Sequence, residues 1–260
     1  MRVITLNANG IRSAARKGFY DWMLQQDADF ICIQETKAKL CQLNDAVFNP
    51  AGYEFYCNEA VKPGYSGVAI YSRHQPLAVT KTLGWPIADE EGRYIQLDFK
   101  NLSIASIYLP SGSSGDARQA VKFDFMRRYE EGLLKIKQLA KEFVICGDWN
   151  IVHKEIDIKN WKGNQKNSGC LPQERAWLDK VFGQLEFIDA FRIINQLPEQ
   201  YTWWSNRRQA WAKNVGWRID YQVVTPGLAK VIKNAAIYKE QRFSDHAPVV
   251  MEYDYSIKNK

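Results

Sequence analysis

The sequence predicts an α/β fold in a single domain, and three observations carry that expectation. Short apolar runs alternate with amphipathic ones along the chain, the pattern of mixed strands and helices. With 260 residues and 46% hydrophobic composition the chain can bury a large core, and nothing forces a split into two domains. No domain-length linker or low-complexity tract interrupts it, and only "SIKNK", residues 256–260, looks like a loose tail.

Taken in chain order, strands are predicted at "RVITL", "FICI", "YEFY", "GVAIYS", "YIQLDF", "LSIASIYL", "FVIC", "IDYQVV" and "PVVMEYDY", all short and apolar. Helices are predicted over residues 16–26, 117–141 and 172–182. The middle one carries Phe125, Tyr129, Leu133, Ile136 and Ala140 at three- and four-residue steps, which marks one buried face. "PQER" opens the third, with Pro172 in the first turn and Glu174 near the positive end of the helix dipole. "KPGYSG", "PSGSSGDA" and "NWKGNQKNSG" are rich in Gly, Ser and Asn and form loops.

Composition then narrows the partners. A net charge of +6 favours a polyanion. Of nine Trp, four fall in "WWSNRRQAWAKNVGWR", residues 203–218, among Arg207, Arg208, Lys213 and Arg218. Cations for phosphates beside flat apolar faces for sugars or bases suit a nucleic-acid surface. The five cysteines form no CxxC pair, so reduced thiols in a cytoplasm are expected, without a disulfide framework or zinc site. No window approaches a membrane span, and the start, "MRVITLNANG", is not a cleaved signal.

Polar residues recur at the ends of the predicted strands. Asn7 follows "VITL", Glu35 follows "FICIQ", Tyr108 ends "LSIASIY", Asp148 and Asn150 follow "FVIC", Asp220 follows "WRI", and "SDH", residues 244–246, precedes the last strand. Singly, each has an ordinary account, such as a helix cap for Asp148. Together they can converge at one rim of a packed sheet structure. Carboxylates and amides without cysteine, and with one well-placed histidine, suit Mg2+ or Mn2+. Asp148 and Asn150, two apart in an extended turn, would point the same way, the acid taking a proton from water and the amide holding it. His246, oriented by an acid such as Asp220, would stay protonated to face a phosphate oxygen. A Ser-His-Asp hydrolase is set aside, because no GxSxG is present.

"LNANGIRS", "ICIQETK", "YLPSG", "GDWNI", "NWKGNQKNSGCLPQER", "NVGWRIDYQVV" and "SDHAPVV" resemble, in order and spacing, the exonuclease III and AP endonuclease family of DNA repair enzymes. "GDWN" and "SDHAPV" mark only the wider endonuclease/exonuclease/phosphatase superfamily, and "GNQKNSGCLPQER" and "NVGWRIDY" look like the repair branch. The resemblance implies a four-layer α/β sandwich, two packed mixed β-sheets flanked by helices, of deoxyribonuclease I type. It implies Mg2+-dependent hydrolysis of the phosphodiester 5′ to an abasic site in duplex DNA, with 3′-exonuclease or 3′-phosphodiesterase activity on damaged 3′ ends.

Carried over, Glu35 would be the main metal ligand with Asn7 beside it and Asp245 near the metal or leaving oxygen. Asp148 would be the base with Asn150 its partner, Asp220 would pair with His246, and Tyr108 would contact the phosphate. Asn164 and Asn167 would touch the DNA backbone, with Arg207 and Lys213 also on the DNA-binding surface. Trp203, Trp217 and Ile219 would wall a pocket for a flipped, base-less sugar. Two departures bear on a phosphate contact and a second metal: Ser111 stands where members often carry an amide, and Asn9 where some have an acid. The chain begins almost at its first catalytic residue, without the extension of animal members, so a bacterial, nucleoid-associated, cytoplasmic monomer is expected. A same-fold phosphatase of inositol phosphates or lipid headgroups, and a non-catalytic DNA-binding module, are the alternatives.

Overall fold

The computed structural model describes residues 1–258. In chain order its strands are β1 (Arg2–Asn7), β2 (Phe30–Gln34), β3 (Glu54–Asn58), β4 (Val68–Ser72), β5 (Ala78–Thr80), β6 (Tyr94–Asp98) and β7 (Leu102–Tyr108). Then follow β8 (Glu142–Asp148), β9 (Ile188–Asp189), β10 (Trp203–Trp204), β11 (Gly216–Trp217), β12 (Asp220–Val224), β13 (Ile232–Ile237) and β14 (Val249–Tyr253). The α-helices are α1 (Ile11–Arg16), α2 (Phe19–Gln25), α3 (Pro86–Glu90), α4 (Asp116–Lys137), α5 (Trp161–Asn164), α6 (Pro172–Phe182) and α7 (Ala190–Ile194).

Two six-stranded sheets form, in the orders β13-β14-β1-β2-β4-β3 and β5-β6-β7-β8-β12-β9, with a separate ribbon of β10 and β11. Each is mixed: β1 and β2 run parallel, as do β7 and β8, and the remaining pairs are antiparallel. Alternation along the strands builds three cores. Val3, Phe30, Cys32, Val144 and Cys146 meet between the sheets. Their neighbours Ile4, Ile31 and Ile33 pack under Phe19 and Met23 of α2, while Phe143 and Ile145 pack under Tyr129, Leu133 and Leu178 of α4 and α6. Strands covered on both faces must be apolar at nearly every position, which is why they are continuous runs in the sequence. Each fully buried Ile, Leu or Phe contributes about 1.5–3 kcal/mol. The result is the expected four-layer α/β sandwich.

Several sequence expectations need correction. The helix over 16–26 begins only at Phe19 and ends at Gln25, because Gly18 takes φ 82 between α1, which ends at Arg16, and α2. The middle helix stops at Lys137, so Ala140 lies beyond it and is exposed. Five strands were not anticipated: β5, β9, β10 and β11, of two or three residues each, and the edge strand β13. The tail is not loose as far as Lys258, whose carbonyl accepts from the Lys100 N–H while its own N–H donates to Asn101 Oδ1. The rest of the expected tail, residues 259–260, lies outside the described residues. Among the described residues no helix is long and apolar enough to cross a membrane.

Candidate active site

Strand direction gathers the polar residues. Because β1 runs parallel to β2, and β7 to β8, Asn7, Glu35, Tyr108 and Asp148 all lie at or just past C-terminal strand ends. The antiparallel neighbours β12 and β14 start at the same rim, which adds Asp220 and His246. Within the second sheet Tyr108, Asp148 and Asp220 are direct cross-strand partners, a row of three on one rung. The rim opens on a cavity of about 660 Å³.

Asp148 is the centre of the polar set. Its Oδ2 accepts from Asn7 Nδ2 at 2.8 Å and Asn150 Nδ2 at 3.3 Å, and its Oδ1 accepts from the Asn150 backbone N–H at 2.8 Å. The turn that allows this is not extended, as expected, but left-handed, with Asn150 at φ 53. Asn150 therefore braces Asp148, and its amide also donates to the Leu109 carbonyl. His246 Nδ1 lies 2.9 Å from Asp220 Oδ2, and its Nε2 faces Asp148 at 3.9 Å. Behind them Thr202, buried and unnoticed in the sequence, donates from Oγ1 to Asp220 at 2.6 Å. Burial works against the imidazolium, but Asp220, with Asp148 and Asp245, outweighs it and pushes His246 up to about 10. Burial, then the Asp220 charge, pushes the Asp148 carboxyl up as well, to about 7, against His246 and Asn7.

Glu35 sits in a left-handed conformation, φ 50, as does Lys37 at φ 49. Strain of this kind persists only where its surroundings hold it. Burial opposes charge on Glu35, yet the Lys37 ammonium 2.7 Å from Oε2 and the Asn7 amide 2.9 Å from Oε1 keep its carboxyl below the usual range. Asn7 offers its nitrogen to both acids, while its oxygen accepts from the Asn9 N–H. Asn9 in turn joins Asp245, at 2.9 Å, to Lys37, at 2.5 Å. Against burial, His246, Asn9 and Trp203 hold Asp245 below its usual range. Glu35 and Asp245 are thus anionic oxygen donors at one cavity, a set that fits a hard divalent cation. Asp148, Asp220 and His246 also lie within 4.8 Å of one another, but there the imidazole already supplies the countercharge.

The apolar side of the same cavity holds Trp203, Trp217 and Ile219. Trp203 and Trp217 are partners across the β10–β11 ribbon and meet edge to face, centroids 5.9 Å apart. Asn167 and Ser111 also line the cavity; Asn164, Arg207 and Lys213 do not. The Asn164 amide is spent on the Lys159 and Asn160 carbonyls and accepts from Asn167, fixing the loop. Arg207 and Lys213 are exposed on the loop that follows β10.

A two-sheet sandwich whose strand ends gather a carboxylate pair, a carboxylate-held imidazole and oxygen donors for a hard cation defines a phosphoester hydrolase. The Endonuclease/Exonuclease/phosphatase family matches residues 4–246, and the chain belongs to it. A Bacillus subtilis exodeoxyribonuclease is 41% identical over 254 residues, 96% of this chain and 98% of that protein. The DNA repair nuclease APEX1 of Danio rerio is 35% identical over 260 residues, 96% of this chain and 81% of that protein. The structure of an AP endonuclease from Archaeoglobus fulgidus superimposes with a TM-score of 0.89 at 27% identity, covering 98% of this chain and 100% of that one.

Proposed function

We propose that this DNA repair nuclease hydrolyses the phosphodiester bond 5′ to abasic sites in duplex DNA with Mg2+ as cofactor, and also trims damaged 3′ ends. The observation that carries the reading is one cavity lined both by the hydrolytic groups Glu35, Asp148 and His246 and by the apolar side chains Trp203, Trp217 and Ile219. That wall suits a sugar without its base better than a highly charged inositol phosphate, and so favours this reading over the phosphatase one.

Asp148, poised near neutrality, takes the proton of the attacking water, and Asn150 holds the carboxylate in place. His246, charged and held by Asp220, donates from Nε2 to a non-bridging phosphate oxygen, as does the Tyr108 hydroxyl. Glu35, with Asp245 near it, would hold Mg2+, which neutralises charge developing on the phosphate and the leaving oxygen. A net charge of +6, with Arg207, Lys213 and Asn167 outside the chemistry, supports duplex DNA as partner. The same reading places the enzyme as a monomer in a bacterial cytoplasm, on the nucleoid.

The test is cleavage of an intact duplex and of three others, carrying an abasic site, a recessed 3′ end and a 3′-phosphate, with Mg2+ and with EDTA. Abasic duplex should be cut fastest, and only with the metal. Full activity in EDTA would overturn the metal assignment, and equal rates on abasic and intact DNA the substrate assignment.

A further inference from the structure

Behind the cavity, and lining none of it, lies an ion pair that hydrolysis does not use directly. Lys122 of α4 and Glu174 of α6 are both 0% exposed at their side chains, with Nζ 2.5 Å from Oε1. Taking two charges out of water is costly, and such pairs stabilise a fold poorly compared with apolar side chains of the same volume. The contacts indicate what else this pair does. Lys122 Nζ donates at 2.7 Å to the backbone carbonyl of Asn150, the left-handed residue whose N–H holds Asp148. Glu174 Oε2 accepts from the N–H groups of Gly169, at 2.6 Å, and Leu171, at 3.0 Å.

These two anchorages meet. The Val152 N–H donates to the Gly169 carbonyl at 2.7 Å. Gly169, at φ +90, lies so near that a Cβ there would come within 2.9 Å of the Asn150 carbonyl oxygen and 3.1 Å of the Trp217 ring. Gln119 completes the junction by donating to Glu174 at 3.1 Å. Catalytic turn, DNA-facing loop and apolar wall therefore share one buried charged knot.

We infer that Lys122 and Glu174 are positioning residues for hydrolysis, Lys122 fixing the turn that presents Asp148 and Glu174 fastening to it the loop that carries Asn167. This rests on the function proposed above. A left-handed asparagine costs strain that its surroundings must hold, and an ammonium on its carbonyl, itself neutralised by Glu174, is a strong hold. Burial lowers the Lys122 pKa and works against the ammonium, which the charges of Glu174 and Asp148 favour. Loop contacts with DNA thereby reach the base Asp148 through two side chains, Glu174 and Lys122, and the Asn150 backbone.

The experiment replaces the pair by uncharged side chains of similar size, Lys122→Met with Glu174→Gln, in the wild-type and Asp148→Asn backgrounds. The variant should melt cooperatively, with kcat on abasic duplex down by at least ~10-fold and KM within ~3-fold, because orientation and not binding is lost. In the Asp148→Asn background the same change should alter kcat by less than ~3-fold, since the group being oriented is gone. Unchanged kcat, or an equal fold loss in both backgrounds, would overturn the inference and leave the pair a packing feature. Should the double substitution fail to fold, Glu174→Gln alone is read the same way: a kcat loss confined to the Asp148 background supports the inference, and full kcat refutes it. Wild-type enzyme that cuts recessed 3′ ends but not abasic duplex would overturn the substrate assignment, and the comparison then runs on the substrate it does cut.

Discussion

In the proposed mechanism Asp148 and His246 divide the chemistry through their surroundings. Two acids and one imidazole share a site, and burial with the Asp220 charge raises the Asp148 carboxyl while His246 stays charged. Asp148→Asn keeps the shape and removes a negative charge near DNA. Turnover should fall by about 100-fold or more with affinity held or improved, as a gel-shift assay beside a cleavage assay would show; equal losses in both would contradict the role. His246→Asn and Asp220→Ala should be far from additive, because Nδ1 of the imidazole rests on that carboxylate at 2.9 Å. An additive double mutant would mean that the pair does not act as one. Asp148, Glu35 and Asp220 were legible in the sequence as acids beside apolar runs. Thr202 and Lys122 were not: a threonine between aromatics and a lysine on an amphipathic helix carry no sign that each is wholly buried.

At the scale of elements, strands buried on both faces were legible because nothing else explains an unbroken apolar run. The shortest ones and the edge strand β13 were not. β13 carries Lys233 and Asn234 at a sheet edge, exposed to solvent, and β10 and β11 are two residues each, so neither shows a period. The predicted helix over 16–26 crossed Gly18 because the apolar spacing continues across it while the backbone does not. Gly147 is the most constrained point of the catalytic strands. A Cβ there would come within 2.1 Å of the Ile107 carbonyl oxygen and 2.7 Å of its Cγ2, although the two residues pair directly across β7 and β8. Gly147→Ala should therefore destabilise the fold by about 3 kcal/mol and move the Tyr108–Asp148 rung. A urea midpoint equal to that of the wild type would show that the strands part more easily than this contact allows.

For the whole molecule, charge pairing sets acid tolerance. Asp157 is buried, and although burial opposes its charge, Arg218 at 2.7 Å and Arg192 at 2.6 Å hold its carboxyl down to about 2. A depressed carboxyl pKa contributes stability that is complete above the unfolded value near 4 and is lost as pH falls through about 2. Asp157→Asn should cost at least about 2 kcal/mol at pH 7, with the gap to wild type closing between about pH 4 and 2. A gap that stays constant over that range in urea melts would exclude pairing as its source.

The β10–β11 ribbon has one further consequence. The proposed chemistry sits on strands of two six-stranded sheets, whereas Trp203 and Trp217 sit on a ladder of two residue pairs, tied to the rest by single bridges to His246 and Ile158. So short a ladder at the rim opens at lower free energy than the strands of a core. Warming should then erode discrimination before cleavage: below the global melt, amides of residues 203–204 and 216–217 should exchange with solvent ahead of those in β8. Over the same interval the enzyme would become less choosy about its DNA while still cutting it.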